Sequence, residues 1–259
     1  VNKDVWFEEP LNFRGSGAIV KFFGRVGGTS TEPYESLNAS YKVGDNPDSV
    51  RQNRKIIADI VQVPPENLVT VGQEHGTKVI EVNATFSGTS PLADGMYTAN
   101  PDIALCILTA DCIPLFAFAP DKKILLAAHI GWRGALGRFG ELIINNFNGL
   151  GAKPKDLLLA FGPSIKGGCY RVDMDFYRKF KDGLGKDYPI EKYFSTIGGN
   201  LYFDLTEIIL DQLERSGVSK SQIYVSPYCT HCMTDLFFSY RRDGQKSGRQ
   251  ISCGRVLLP

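Results

Sequence analysis

Three residues of this chain carry donor atoms that together suit a transition metal: His75, Cys112 and His129. Two imidazoles and a thiolate form a borderline-soft set that matches zinc or copper, and three protein donors leave a fourth position for water. That is the arrangement of a catalytic ion. No CxxC or HExxH spacing ties the three together, however, and on spacing alone a buried thiol with two hydrogen-bonded imidazoles accounts for them more readily. Asp111 and Arg133 lie beside Cys112 and His129, at the ends of apolar runs, where a rigid scaffold presents reactive side chains at one rim.

The elements that must position these residues come from the stretch 105–134. Leu105 to Leu108, Ile113 to Phe118 and Lys123 to Ala128 are short, nearly unbroken apolar runs, the pattern of strands buried on both faces. Gly17 to Arg25 reads as an earlier strand. Asn46 with Pro47 and Asp48 starts a helix that stops before Pro64-Pro65. Leu68 to Val71 and Lys78 to Val82 read as strands flanking His75, which then sits on a tight connection. Gly134 to Leu150 reads as one helix, so Arg133 falls near its N-terminus. Asp156 to Phe161 is a further buried strand, and 173–180 a charged amphipathic helix. The stretch 181–200 reads as a loop or insertion. Asp204 with Glu207 forms a capping-box pattern for the helix that follows, and Ser221 to Ser226, Leu236 to Arg241 and Gln250 to Leu258 read as closing strands. These elements do not follow a strict βαβ rhythm. The expectation is an α/β chain of the α+β type: one domain over 1–259, a layered sandwich of mixed sheets flanked by helices.

Composition bounds the function. The net charge of +1 offers no field that would draw nucleic acid or acidic lipid, so a small-molecule partner is expected. The start of the chain lacks the pattern of a leader, and no segment approaches the ~18 apolar residues of a membrane span, which points to a cytoplasmic protein. The six cysteines are then read as thiols. Oligomeric state stays open between monomer and homodimer.

Several segments resemble one bacterial family. They are HG at 75–76, ADC at 110–112 and HIGWRG at 129–134, with SLNASYKVGDNPDSVRQNR (36–54), DGMYTANPDIAL (94–105), GPSI and CY within 162–170, and FFSYRRDGQKSGRQ (237–250). The family was first described as multicopper polyphenol oxidases, or laccase domain proteins, and later as purine nucleoside phosphorylases with adenosine deaminase activity. Glu74 stands where the family commonly has Val, and Ser247 where it commonly has Thr. The resemblance implies mixed sheets between helices and a zinc held by His75, Cys112 and His129. Such an ion acidifies a bound water for attack at C6 of adenine.

It also implies purine nucleosides (adenosine, inosine, methylthioadenosine) and phosphate as substrates. Phosphorolysis needs an anion site, for which Arg133 is the first candidate; bracing the strand-to-helix turn is an equal alternative. Arg241 and Arg242 are adjacent on an expected strand, so at most one faces the site. Asp111 is read as a general base or, preferably, as the partner that orients an imidazole. Trp132 and Phe116 are read as core rather than as a stacking surface.

Two other chemistries compete. A conventional multicopper cluster needs more imidazoles than His75, His129 and His231 supply, which leaves a single copper at the same three donors. A metal-free hydrolase would use Cys112 as a nucleophile activated by His129. Cys229-Thr230-His231-Cys232 is half of a zinc ribbon. With no second pair, and Cys253 unable to complete it, Cys229 and Cys232 are read as buried thiols, as are Cys106 and Cys169.

Overall fold

A computed structural model describes residues 5–258; residues 1–4, where the stretch read as lacking a leader begins, and residue 259 lie outside the described residues. In chain order the strands and helices are β1 (Phe7–Glu8), β2 (Ala18–Phe23), α1 (Pro47–Val61), β3 (Leu68–Val69), β4 (Val79–Glu81), β5 (Gly95–Thr98) and β6 (Ala104–Thr109). The central part holds β7 (Ile113–Ala119), β8 (Ile124–Ile130), α2 (Trp132–Leu136), α3 (Phe139–Gly149), β9 (Leu158–Phe161), β10 (Arg171–Val172) and α4 (Met174–Leu184). The remainder is β11 (Phe194–Ile197), β12 (Asn200–Phe203), α5 (Leu205–Arg215), β13 (Ile223–Val225), α6 (Tyr240–Asp243) and β14 (Gln250–Val256).

Two sheets carry the structure, one ordered β1-β2-β14-β6-β3 and the other β13-β9-β7-β8-β5-β4. Their faces explain why the central runs are apolar at every position. Phe116 and Phe118 of β7 and Leu125 and Ala127 of β8 meet Val20, Phe22, Leu105 and Ile107 of the five-stranded sheet. The alternate residues Leu115, Ala117, Leu126 and Ala128 face the other way, onto Phe139, Ile143 and Phe147 of α3 and onto α5. On the outer face of the five-stranded sheet, Ala104, Cys106, Ile251 and Cys253 pack under Ile57, Ala58 and Val61 of α1. The order of layers is helix, sheet, sheet, helices, the expected sandwich with both sheets covered on both faces.

The chain weaves between the layers. It leaves the five-stranded sheet after β3, returns at β6, and comes back last at β14 between β2 and β6. Neither sheet is built from one contiguous stretch, so the two form one folding unit. Asn46 caps α1 as expected, its side chain accepting from Asp48 N and Ser49 N.

Three local elements differ from those expected. The single helix expected over 134–150 is two, because Arg138 takes a left-handed φ of 56° that breaks the helix between α2 and α3. The 181–200 stretch contains the end of α4, short 3-10 turns and β11, which joins β10 and β12 in a small third sheet. The strand expected at Leu236–Arg241 is not formed. Phe237 and Phe238 are buried in a loop, and the Ser239 side chain accepts from Arg242 N to cap α6. His75 does lie on the connection between two strands, as expected; because β3 and β4 belong to different sheets, that connection crosses from one sheet to the other. Among the described residues no helix is long and apolar enough to cross a membrane.

Candidate active site

Cys112 immediately precedes β7, and His129 is the penultimate residue of β8, paired with Pro114. The antiparallel register therefore brings their side chains to the same end of the six-stranded sheet. His75 arrives from the crossover. The donor atoms of His75, Cys112 and His129 all lie within 4.8 Å of one another, and the two imidazole rings meet edge to face at 4.8 Å between centroids. Three residues separated by 37 and 17 positions in sequence thus converge on one point.

The residue that makes them converge is Asp94, just before β5. Its carboxylate is fully buried. One oxygen accepts from His75 N at 3.0 Å and meets His129 Nδ1 at 2.8 Å; the other accepts from Gly76 N at 2.7 Å and Glu74 N at 3.2 Å. These backbone bonds hold His75 at a φ of 63°, a left-handed conformation that a non-glycine residue adopts only where its surroundings compel it. Because Nδ1 of His129 is engaged by Asp94, the ring is fixed with Nε2 toward Cys112, the carboxylate–histidine arrangement that orients imidazole ligands in metal sites. Burial pushes the Asp94 carboxyl up, but the bonds from His129, Gly76 and Glu74 outweigh it and hold the group below the usual carboxylate range.

The thiol is tuned by the same neighbours. Burial raises it, yet the charge of His129 and hydrogen bonds from His129 and His75 bring Cys112 down to about 6. Burial lowers His129, and Cys112 and Asp94 more than reverse this, raising it to about 9. The pair is thus a Cys112 thiolate beside a charged His129: the sulfur is ready to bind a metal, and the imidazole would release its proton as an ion binds. Gly131 completes the cradle: a Cβ there would lie 2.9 Å from His75 Cδ2 and 3.2 Å from Cys112 Sγ, so only glycine leaves room for both. A thiolate and two oriented imidazoles in a steric cradle fit a zinc or single copper ion. A cysteine nucleophile would need only the Cys112–His129 pair and gives no reason for His75.

Asp111 has a different task from the one expected. Its carboxylate accepts from Thr230 Oγ1 at 2.7 Å, Ser239 Oγ at 3.0 Å and Arg241 N at 2.7 Å, which pins the C-terminal segment beside the metal donors. It touches neither imidazole through a hydrogen bond among the described residues; Asp94 orients His129 instead. Asp111 has a φ of 93°, and its carbonyl accepts from Ile165 N at 3.0 Å, so its backbone too is fixed from outside.

His75, Asp111, Cys112 and His129 line one cleft of about 810 Å³, within the range of small-molecule sites. Its walls also carry Lys42, Arg54, Arg133, Arg241 and Arg249, while Asp111 is the one acidic residue among its described lining. The lining is thus strongly cationic. Arg133, placed as expected at the rim, lies over the Trp132 ring at 4.9 Å and donates no side-chain hydrogen bond among the described residues. Its helix, α2, is only five residues long, so what Arg133 offers to the cleft is the guanidinium itself rather than a helix terminus.

Of the adjacent pair, Arg241 reaches the cleft. Arg242 is spent on the carbonyls of Thr230, His231 and Phe237. One of the two faces the site, as expected, although on a helix rather than a strand. Phe116 is core; Trp132 lines the cleft.

Asp94, Gly131, Lys42, Arg54 and Arg249 were not singled out from sequence. The available signal was that all five fall inside or at the edge of the segments 36–54, 94–105, 129–134 and 237–250 quoted above, which the fold gathers around one cleft.

Comparison with known proteins gives a consistent picture. Residues 19–256 match the family model described as multi-copper polyphenol oxidoreductase laccase. A relative from Geobacillus stearothermophilus named purine nucleoside phosphorylase YlmD is 33% identical, the match covering 92% of this chain and 89% of the relative. One from Deinococcus radiodurans named purine nucleoside phosphorylase is 34% identical over 88% of this chain and 85% of its own length. Among solved structures, the hypothetical protein YfiH of Bacillus licheniformis superposes with a TM-score of 0.86 at 32% identity, covering 92% of each chain.

Proposed function

The chain belongs to the multi-copper polyphenol oxidoreductase laccase family, and from that premise we propose that it is a zinc-dependent purine nucleoside phosphorylase with adenosine deamination as a second activity. The proposed substrates are adenosine, inosine and S-methyl-5′-thioadenosine, with phosphate. What carries this reading is the juxtaposition of an Asp94-buttressed N2S donor set with a cleft walled by five cationic side chains. The names of the relatives support the same substrate class.

His75, Cys112 and His129 would hold the ion, which when bound supplies Lewis acidity for the deamination at C6 of adenine. Phosphorolysis would draw on the same Lewis acidity, and it places a further demand on the protein's own residues. A phosphate oxygen forms a bond to C1′ of the ribose while the C1′–N9 bond breaks, and the purine leaves with the electron pair. Arg133, with Arg241 and Arg249 of the same cleft lining, neutralises the phosphate and holds it in line. Asp111, bound by three donors, acts as a positioning residue that keeps Arg241 and Ser239 in place.

A multicopper oxidase reading fails on the supply of imidazoles. The chain has three histidines, and of these His75 and His129 alone share the donor cluster among the described residues. A single copper at the same donors is the alternative that survives, as an adventitious oxidase.

The reading is tested with purified protein and adenosine, with and without phosphate, and products resolved by chromatography. Adenine with ribose 1-phosphate is expected only with phosphate, and inosine in its absence. Arg133→Ala should raise the KM for phosphate by about tenfold or more while sparing the deamination. Nucleosides left intact beside a phenol oxidised in proportion to bound copper would contradict it.

A further inference from the structure

The CxxC at 229–232 is not the buried half-motif that its sequence suggests. Cys232 is exposed and Cys229 only partly buried, and a third thiol, Cys169, lies beside them. The three Sγ atoms all fall within 4.8 Å of one another, with Cys169 and Cys232 at 2.9 Å. Sequence gave no sign of this, because Cys169 is 63 residues from Cys232 and follows a different strand.

The fold creates the meeting. The parallel pairing of β9 with β13 continues past both strands as a bridge between Ser164 and Cys229, and Thr230 N donates to Ser164 O at 3.2 Å. The two loops therefore run side by side. A turn closed by Met233 N donating to Cys229 O brings Cys232 back over Cys229, and the short helical turn Gly167–Cys169 delivers the third sulfur. A disulfide would pair two of the three sulfurs and leave one over.

We propose that Cys169, Cys229 and Cys232 form a second metal site, one that takes a zinc ion on three thiolates with its fourth position toward solvent. Two thiolates on one tetrahedral zinc stand about 3.7 Å apart. The three sulfurs, all within 4.8 Å of one another, need only small side-chain adjustments to reach that spacing. The ion would tie the 162–170 loop to the 228–241 segment. These bring Tyr170 and Arg241 to the cleft, and Thr230 and Ser239 to Asp111, so its role is to brace the wall of the first site. Neither its donors nor its chemistry depend on the activity proposed above.

The test counts zinc by mass spectrometry of the native protein prepared under reducing conditions. About two ions per chain are expected for the wild type, and about one for Cys112→Ala and for Cys169→Ser/Cys232→Ser. In Cys112→Ala loaded with cobalt, a near-ultraviolet thiolate-to-cobalt absorption should remain and vanish when Cys169→Ser is added. A measurement on the wild type guards against misfolded variants: added zinc should protect Cys169, Cys229 and Cys232 together from alkylation, as mapped on peptides. A single ion that disappears entirely in Cys112→Ala, with the three thiols alkylated equally with and without zinc, would overturn the proposal. So would a Cys169–Cys232 disulfide that persists in the reduced preparation.

Discussion

At the scale of single residues, the centre depends on Asp94 more than on any group outside the donor set. Its two oxygens bind the ring of His129 and the backbone of the His75 turn, so one side chain positions two of the three donor residues. Asp94→Asn should weaken zinc binding by about 10–100-fold, measured by competition with a chelator, because the amide cannot accept on both oxygens. Asp111→Asn should leave zinc affinity nearly unchanged and instead loosen the 228–241 segment, read as faster hydrogen exchange there. If the two variants behaved the other way round, the assignment of roles would be wrong. Gly131→Ala should lose the metal as fully as a ligand variant, since its Cβ would fall at 2.9 Å from the His75 ring. The donors were legible in sequence because imidazole and thiolate are scarce and chemically distinctive. Asp94 was not, since an Asp before Gly reads locally as a turn and its partners are 18 to 35 residues away.

At the scale of elements, α1 and the loop before it build one wall of the cleft, and Asn53 is the connection. Its side chain accepts from Thr29 N at 2.8 Å and donates to Ser30 Oγ, Ser36 O and Asn38 O from a fully buried position. Asn38 in turn accepts from Arg249 N at 2.9 Å, which joins the loop to the C-terminal wall. Asn53→Ala strands several buried polar groups and should cost at least about 2 kcal/mol, measured by urea unfolding, with a rise in KM for the nucleoside. An effect below about 0.5 kcal/mol would mean that water replaces the amide. Elements with one dominant local signal were readable: the Asn46-Pro47 start of α1, and the apolar runs of β6, β7 and β8. The 236–241 segment was not, because its two phenylalanines are buried without strand pairing, and an apolar pair gives the same pattern in either case. The α2–α3 break was equally hidden, since a left-handed Arg138 has no marker in sequence.

At the scale of the whole molecule, the two sheets meet through aromatic side chains. Phe116 packs against Phe22 at 5.9 Å and lies so close to β14 that a Cβ on Gly254 would come within 2.7 Å of its ring. Phe116→Ala should cost about 3–5 kcal/mol, and unfolding should remain a single transition, because the chain threads both sheets and neither can melt alone. Two transitions would show that the sheets are separable. The same threading lets residues from the crossover at 75, the ends of β7 and β8 and the C-terminal segment share one cleft, and the central claim concerns what they hold there. The most direct measurement is phosphate-dependent release of adenine from adenosine by metal-stripped protein as zinc is restored, beside Cys112→Ala and His75→Ala. No turnover is expected without metal, recovery in step with ion bound at the N2S centre, and none in either variant. Full turnover by the stripped wild type and by His75→Ala, lost only with Cys112, would instead establish a cysteine nucleophile and contradict that claim.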